Sequence, residues 1–182
     1  MNLPNKLTIL RTILIIPFVI IMLTNCFGDV ISGWVALVIF VIASITDLLD
    51  GKIARKRNLV TNFGKFMDPL ADKILVTSAL VCLMAVNPEM MPAWAVIIIL
   101  AREFIISGFR LVASDAGIVI AASMWGKSKT VSHMVMIIMM LVAIPWTPYV
   151  ILTQIVMYVA VILTVISLVD YVWKNRSVIA DM

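Results

Sequence analysis

The chain has 182 residues, of which 63% are hydrophobic and 13% charged, with a net charge of +4 and a mean hydropathy of +1.14. A soluble domain of this size could not cover so much apolar surface, so the composition excludes one and predicts an all-α integral membrane protein, with residues 1–182 as one membrane domain. The apolar runs are continuous, which argues against a β-barrel, and the basic residues sit beside those runs, which argues against a nucleic-acid partner.

In chain order, residues 1–11 are mixed in polarity, with Leu3, Leu7 and Leu10 at helical spacing. They fit a short interfacial helix, which either lies flat on the bilayer before the first span or runs straight into it. The first span, Thr8–Thr24, is at the short end of what crosses a bilayer. Asn25–Asp29, with Gly28, form a turn. The second span covers Val30–Leu49, and residues 51–67 are a polar, basic stretch. A third span begins at Asp68, as N-cap, and Pro69, and ends near Val86. Asn87, Pro88 and Pro92 make the next turn. The fourth span, Ala93–Val112, contains Arg102, Glu103 and Arg110. Two adjacent charges inside a span require partners or a water-filled cavity. Residues 113–129 form a loop ending in Gly-Lys-Ser-Lys. The fifth and sixth spans, Thr130–Ile144 and Tyr149–Trp173, are joined by a tight turn at Pro145 and Pro148.

Six transmembrane helices put both termini on one side. The connections near 25–29, 87–92 and 145–148 contain no Lys or Arg, and the 14 basic residues lie at the termini, loops or span ends of the opposite side, with Arg102 inside the adjoining fourth span. That asymmetry predicts a multi-pass protein of the cell membrane with both termini in the cytoplasm. Trp125, Trp146 and Trp173 fall near span ends, as interfacial anchors do.

The densest charge lies in Asp47–Asp72, DLLDGKIARKRNLVTNFGKFMDPLAD, with Asp47, Asp50, Asp68 and Asp72. Asp47 and Asp50 are three apart, and Asp68 and Asp72 four apart, so on helices each pair shares a face. Four converging carboxylates repel one another unless cations join them. Hard oxygen ligands suit Mg²⁺, Mn²⁺ or Ca²⁺ rather than zinc. Gly51 and Ala54 would let a ligand approach the helix, and Arg55 with the basic stretch supplies charge for phosphate. Metal and cations at a membrane surface point to phosphoryl chemistry on a lipid headgroup, with one aspartate available to accept a hydroxyl proton. Thr8, Arg11, Arg110, Lys127 and Lys129 map to the same side. An acceptor with its own phosphate needs such donors, and Arg110, Lys127 and Lys129 are the candidates to bind it.

The arrangement Asp47-x2-Asp50-Gly51-x2-Ala54-Arg55-x8-Gly64-x3-Asp68-x3-Asp72 resembles the defining motif of the CDP-alcohol phosphotransferases at every position. Three further matches resemble the members that use glycerol 3-phosphate: the N-terminal NLPNKLTxxR, Ala101–Phe104 followed by Arg110, and Gly126–Thr130. The resemblance implies that Asp47, Asp50, Asp68 and Asp72 hold two divalent ions, Mg²⁺ or Mn²⁺, with Asp72 also the general base. Asn5, Gly51, Arg55 and Thr61 would contact the CDP moiety. The hydroxyl of glycerol 3-phosphate would attack the lipid-side phosphorus of CDP-diacylglycerol in a homodimeric enzyme, and CMP would leave. Serine or phosphatidylglycerol as acceptor is the alternative within the family. A cation-coupled transporter is the alternative outside it, but it leaves unexplained why the carboxylates gather at one surface beside a basic stretch.

Plainer roles fit other residues. Lys52, Lys56 and Arg57 serve orientation and attraction to anionic lipid. His133 has no second histidine to ligate with and reads as a hydrogen-bonded packing residue, and Cys26 and Cys82 read as small packing residues rather than a disulfide.

Overall fold

The computed structural model describes residues 2–56, 62–115 and 123–176; within these ranges the side chains of residues 3, 4, 29, 48–56, 62–66, 68, 69 and 115 are left undescribed. Among the described residues there are six helices and no strand: α1 (Leu3–Thr24), α2 (Asp29–Lys56), α3 (Asn62–Val86), α4 (Ala93–Asp115), α5 (Met124–Val142) and α6 (Thr147–Lys174). Three of them carry stretches long and apolar enough to cross a membrane, at Asn5–Thr24, Val30–Asp47 and Thr147–Lys174. Their outward faces present side chains such as Ile16, Ile20, Val38, Ile155 and Ile162, all exposed. This is the surface of a protein solvated by lipid.

Several boundaries differ from the sequence expectation. The N-terminal segment is no separate interfacial helix, because α1 is continuous from Leu3, and it continues through Pro17. Asp68 and Pro69 do not open α3, which begins at Asn62. Phe63, Phe66, Met67 and Leu70 follow an i, i+3, i+4, i+7 pattern, so the apolar stripe of α3 starts before the proline. Gly126–Lys129 is not loop but the first turns of α5. Ser123 starts that helix: its hydroxyl accepts the Gly126 backbone N–H at 3.1 Å, as an N-cap does. Cys82 is buried, as a packing residue should be, whereas Cys26 is exposed in the turn after α1.

The turns follow local chemistry. Asn25 ends α1 in the left-handed region, φ 50°, with its N–H on the Ile21 carbonyl, and Gly28 takes φ 81°. After α5, the Trp146 N–H reaches the Ile144 carbonyl at 2.9 Å across Pro145, a turn of the γ kind. Pro148 then sits in the first turn of α6, where its missing N–H leaves no bond unmade.

The chain forms two compact units, Met1–Asn87 with Leu141–Ala143, and Pro88–Met140 with Ile144–Met182. In the first, α1 packs against both α2 and α3, and α2 against α3. Arg11 meets Asp47 while Phe18 meets Phe40, so α1 and α2 are antiparallel. Alanines at the seam, Ala36, Ala43, Ala71 and Ala79, are fully buried and let the backbones approach. Gly33 does the same further up α2, where an added Cβ would stand 2.9 Å from the Leu141 carbonyl oxygen.

In the second unit the pairs Trp94–Tyr158, Arg102–Ser167 and Phe109–Tyr171 advance together, so α4 and α6 run parallel. α5 runs against α6, with the Met139 carbonyl bonded by Tyr149 and His133 by Thr164. The buried face of α6 is Thr153, Met157, Ala160, Val161, Thr164, Ser167 and Tyr171, and its polar members concentrate toward the C-terminus.

Candidate active site

In a bilayer the usual amphipathic logic inverts: apolar side chains face lipid, and the polar ones mark the packed face. On α1 the buried stripe is Asn5, Thr8, Arg11, Ile15, Phe18 and Met22, polar at its start and apolar beyond. Leu10, which belongs to the apolar stripe that the sequence makes conspicuous, is exposed. Thr8 and Arg11 have no exposed surface. The Arg11 guanidinium Nη1 lies 2.6 Å from Oδ1 of Asp47, whose side chain is one-third exposed. An ion pair of that length offsets the charge of the carboxylate.

Asp47 continues the packed stripe of α2, after Ala36, Phe40, Ala43 and Thr46. Asp50 lies one helical turn further on in α2, and Asp68 and Asp72 lie one turn apart in α3. Only residues 57–61 separate the two helices, so the end of α2 and the start of α3 are held at the same end of this unit. Asp72 is half-buried beside the fully buried Ala71 and has an interaction partner of its own.

Placement of the sequence candidates is therefore uneven. Asn5, Thr8, Arg11 and Asp47 stand at the polar end of the first unit. The side chains of Asp50, Gly51, Arg55 and Asp68 are not described, and Thr61 lies outside the described residues. Among the described residues no group of three potential metal ligands is assembled, since the two central aspartates fall outside that set.

The second unit holds a polar cluster of its own. Arg102 Nη1 donates to Glu103 Oε1 at 3.1 Å, and Arg102 Nη2 donates to Ser167 Oγ at 2.5 Å. Lys129 Nζ pairs with the same Glu103 Oε1. Arg102 and Glu103 thus find partners inside the helix packing, as adjacent charges in a span require. Gly126 abuts this group, with an added Cβ falling 3.6 Å from Arg102 Nη2 and 3.9 Å from Ser167 Oγ. His133 Nε2 lies 2.9 Å from Thr164 Oγ1. The Thr164 hydroxyl gives its proton to the Ala160 carbonyl, so His133 must be the donor and carries its hydrogen on Nε2. Arg110 is exposed and stacks over the Tyr171 ring, 5.7 Å from its centroid. Lys127 is exposed, whereas Lys129 is buried on Glu103.

Sequence reasoning missed Ser167, Thr164 and Tyr171. Each is an ordinary residue of an apolar helix in sequence. The one available signal was their spacing of three and four along α6, which defines a polar stripe in an otherwise apolar span.

The sequence profile of the CDP-alcohol phosphatidyltransferase family matches residues 1–166. A CDP-diacylglycerol–glycerol-3-phosphate 3-phosphatidyltransferase of Bacillus subtilis (strain 168) is 43% identical, over 96% of this chain and 95% of its own length. The enzyme of the same name from Haemophilus influenzae is 37% identical over 99% and 96%. A probable phosphatidylglycerophosphate synthase of Mycobacterium tuberculosis is 38% identical over 94% and 80%. With its motif aspartates at the facing ends of α2 and α3, and a match that runs through five helices and most of the sixth, this chain belongs to the CDP-alcohol phosphatidyltransferase family.

Proposed function

We propose that the protein transfers the phosphatidyl group of CDP-diacylglycerol to glycerol 3-phosphate, giving phosphatidylglycerol phosphate and CMP. The observation that carries this reading is the near end-to-end similarity to enzymes whose names state that reaction. The unbroken motif from Asp47 to Asp72 supports it.

Asp47, Asp50, Asp68 and Asp72 are assigned as ligands of two divalent ions, Mg²⁺ or Mn²⁺. A donor set made only of carboxylate oxygens fits such ions and not a soft metal. Bound there, the ions would offset the aspartate charge and polarise the pyrophosphate. The residues do the rest. Arg11 offsets the charge of the Asp47 carboxylate. Asn5, Gly51, Arg55 and Thr61 are assigned to the CDP moiety. Asp72 takes the proton from the acceptor hydroxyl as its oxygen bonds to the lipid-side phosphorus, and the bond from that phosphorus to CMP breaks with its electron pair leaving on CMP. Thr8, Arg11, Arg110, Lys127 and Lys129 are assigned, from the sequence, to the acceptor's phosphate. The active form is assigned as a homodimer, with the whole chain acting as one membrane domain.

The purified protein should release CMP from CDP-diacylglycerol with glycerol 3-phosphate and Mg²⁺ or Mn²⁺. Chelator should stop the release, and added metal should restore it. Release with serine or phosphatidylglycerol in place of glycerol 3-phosphate would move the acceptor assignment, and no release with any acceptor would remove the enzyme reading.

All six helices are assigned as spans, with both termini and the aspartates in the cytoplasm. The three basic-free connections support this orientation. It has a direct check, because Cys26 is exposed in the α1–α2 turn and Cys82 is buried. In intact cells a membrane-impermeant maleimide should label Cys26 and spare a Cys26→Ser protein. Labelling that appears only after lysis would reverse the orientation.

A further inference from the structure

The outward side of α6 ends in charge. Its exposed stripe runs through Ile155, Ile162, Val169 and Trp173 to Arg176, on the side of the helix opposite the buried Thr164 and Tyr171. Trp173 is 68% exposed, and the Arg176 guanidinium lies over its ring, 5.1 Å from the centroid. Two cations stand at this end of the helix, and they are not equivalent. Lys174 Nζ is 2.7 Å from Asp170 Oδ1, so its charge is answered within α6. Among the described residues no carboxylate pairs with Arg176. A ring face attracts a cation without neutralising it, so Arg176 keeps its charge and N–H donors to offer an outside anion.

Depth along the helix identifies that anion. Ile162 stands near the middle of the span Thr147–Lys174. From Ile162 to Trp173 the helix rises about 16 Å, close to the roughly 15 Å of hydrocarbon in one leaflet. Trp173 therefore sits at the level where indoles favour the membrane interface. Arg176 follows about one turn beyond, at the level of the lipid phosphates. A soluble acidic partner would have no use for the apolar stripe. A phospholipid uses all of it, with its chains against Ile162 and Val169 and its phosphate at the guanidinium.

We infer that the C-terminal end of α6 carries a binding site for an anionic phospholipid, in which Arg176, held on the Trp173 ring, meets the lipid phosphate. An anionic lipid is favoured over a zwitterionic one because Arg176 is the unanswered charge here, and a zwitterion brings a cation of its own. The site shares no residue with those assigned to the proposed reaction and does not depend on it. The bound lipid would be a lasting component of the protein's surface rather than a substrate.

Arg176→Gln is the discriminating variant, because it removes the charge at an exposed position and leaves the ion pair of Lys174 with Asp170 in place. Wild-type and variant protein are stripped of lipid in a neutral detergent. Thermal stability is then followed against phosphatidylglycerol, phosphatidylcholine and inorganic phosphate, and retained lipid is counted by native mass spectrometry. Without lipid the two proteins should melt together. Wild type should be stabilised by phosphatidylglycerol at lower concentration than by phosphatidylcholine, and should retain phosphatidylglycerol in the mass spectrum. Arg176→Gln should need about tenfold more phosphatidylglycerol for the same stabilisation, the loss of a hydrogen-bonded contact to a charged group. Its response to phosphatidylcholine should be unchanged. Trp173→Leu, which keeps an apolar side chain and removes the ring beneath the guanidinium, should shift the phosphatidylglycerol response in the same direction by a smaller factor. Equal responses of wild type to the two lipids would overturn the inference. So would an Arg176→Gln protein that binds phosphatidylglycerol as wild type does, since the lipid would then act elsewhere. Stabilisation by inorganic phosphate that is lost in Arg176→Gln would show a site for a free anion in place of a lipid. A variant that melts below wild type before lipid is added would show a pair kept for folding, and either result also overturns it.

Discussion

Asp72→Asn should lower CMP release by about a thousandfold or more, in a protein that still inserts and folds. The amide matches the carboxylate in shape, so the packing of α3 beside Ala71 and Leu75 is kept. What it loses is the ability to take a proton and one negative charge at a site assigned to divalent cations. Loss of a positioned base alone removes two to four orders of magnitude in rate, roughly, and loss of a metal ligand adds to it. Asp68→Asn should behave alike, through the ligand role only. The measurement is CMP release from protein that elutes and melts as wild type does. A near-wild-type rate in either variant would refute the aspartate assignment.

Glu103→Gln should destabilise the protein by about 3 kcal/mol, the lower end of the cost of removing one partner of a buried ion pair. Glu103 is the carboxylate that Arg102 and Lys129 share, and both cations are nearly enclosed, with side chains 11% and 5% exposed. Taking the charge from Glu103 leaves two cations facing each other in a region poor in water. The sign is diagnostic when the cation is removed as well. Glu103→Gln with Lys129→Met should lose less stability than the two single changes summed, because the double variant leaves one fewer charge uncompensated. Thermal melting of the four proteins in one detergent gives the cycle. Additive losses would show that Lys129 and Glu103 are not coupled.

The residues that were legible in sequence are those whose meaning is local or expensive. Asp47, Asp50, Asp68 and Asp72 stood out because carboxylates beside apolar runs need a reason. Arg102 and Glu103 announced that they had partners. Which partners could not be read: Ser167 is 65 residues from Arg102, and Lys129 is 26 from Glu103, and only the packing of three helices brings them together. Helix starts failed for a different reason. Pro69 looked like a first-turn proline, but the stripe through Phe63, Phe66 and Met67 had already begun α3. Gly126 looked like a loop residue, but Ser123 had already capped α5. In both places a strong local marker outweighed a weaker periodic signal. The Leu3, Leu7 and Leu10 spacing is real helical periodicity, and it belongs to one helix continuous with the first span.

The Arg11–Asp47 contact also constrains how this protein is made. Arg11 emerges from the ribosome well before Asp47, and until α2 is synthesised its guanidinium has no carboxylate to meet. An arginine without a counter-charge holds the leading helix near the lipid headgroups, where water can still reach it. The antiparallel arrangement of α1 and α2 then brings the two charges to the same depth once both segments exist. The two charges can therefore meet only in the α1–α2 hairpin, and not in α1 alone.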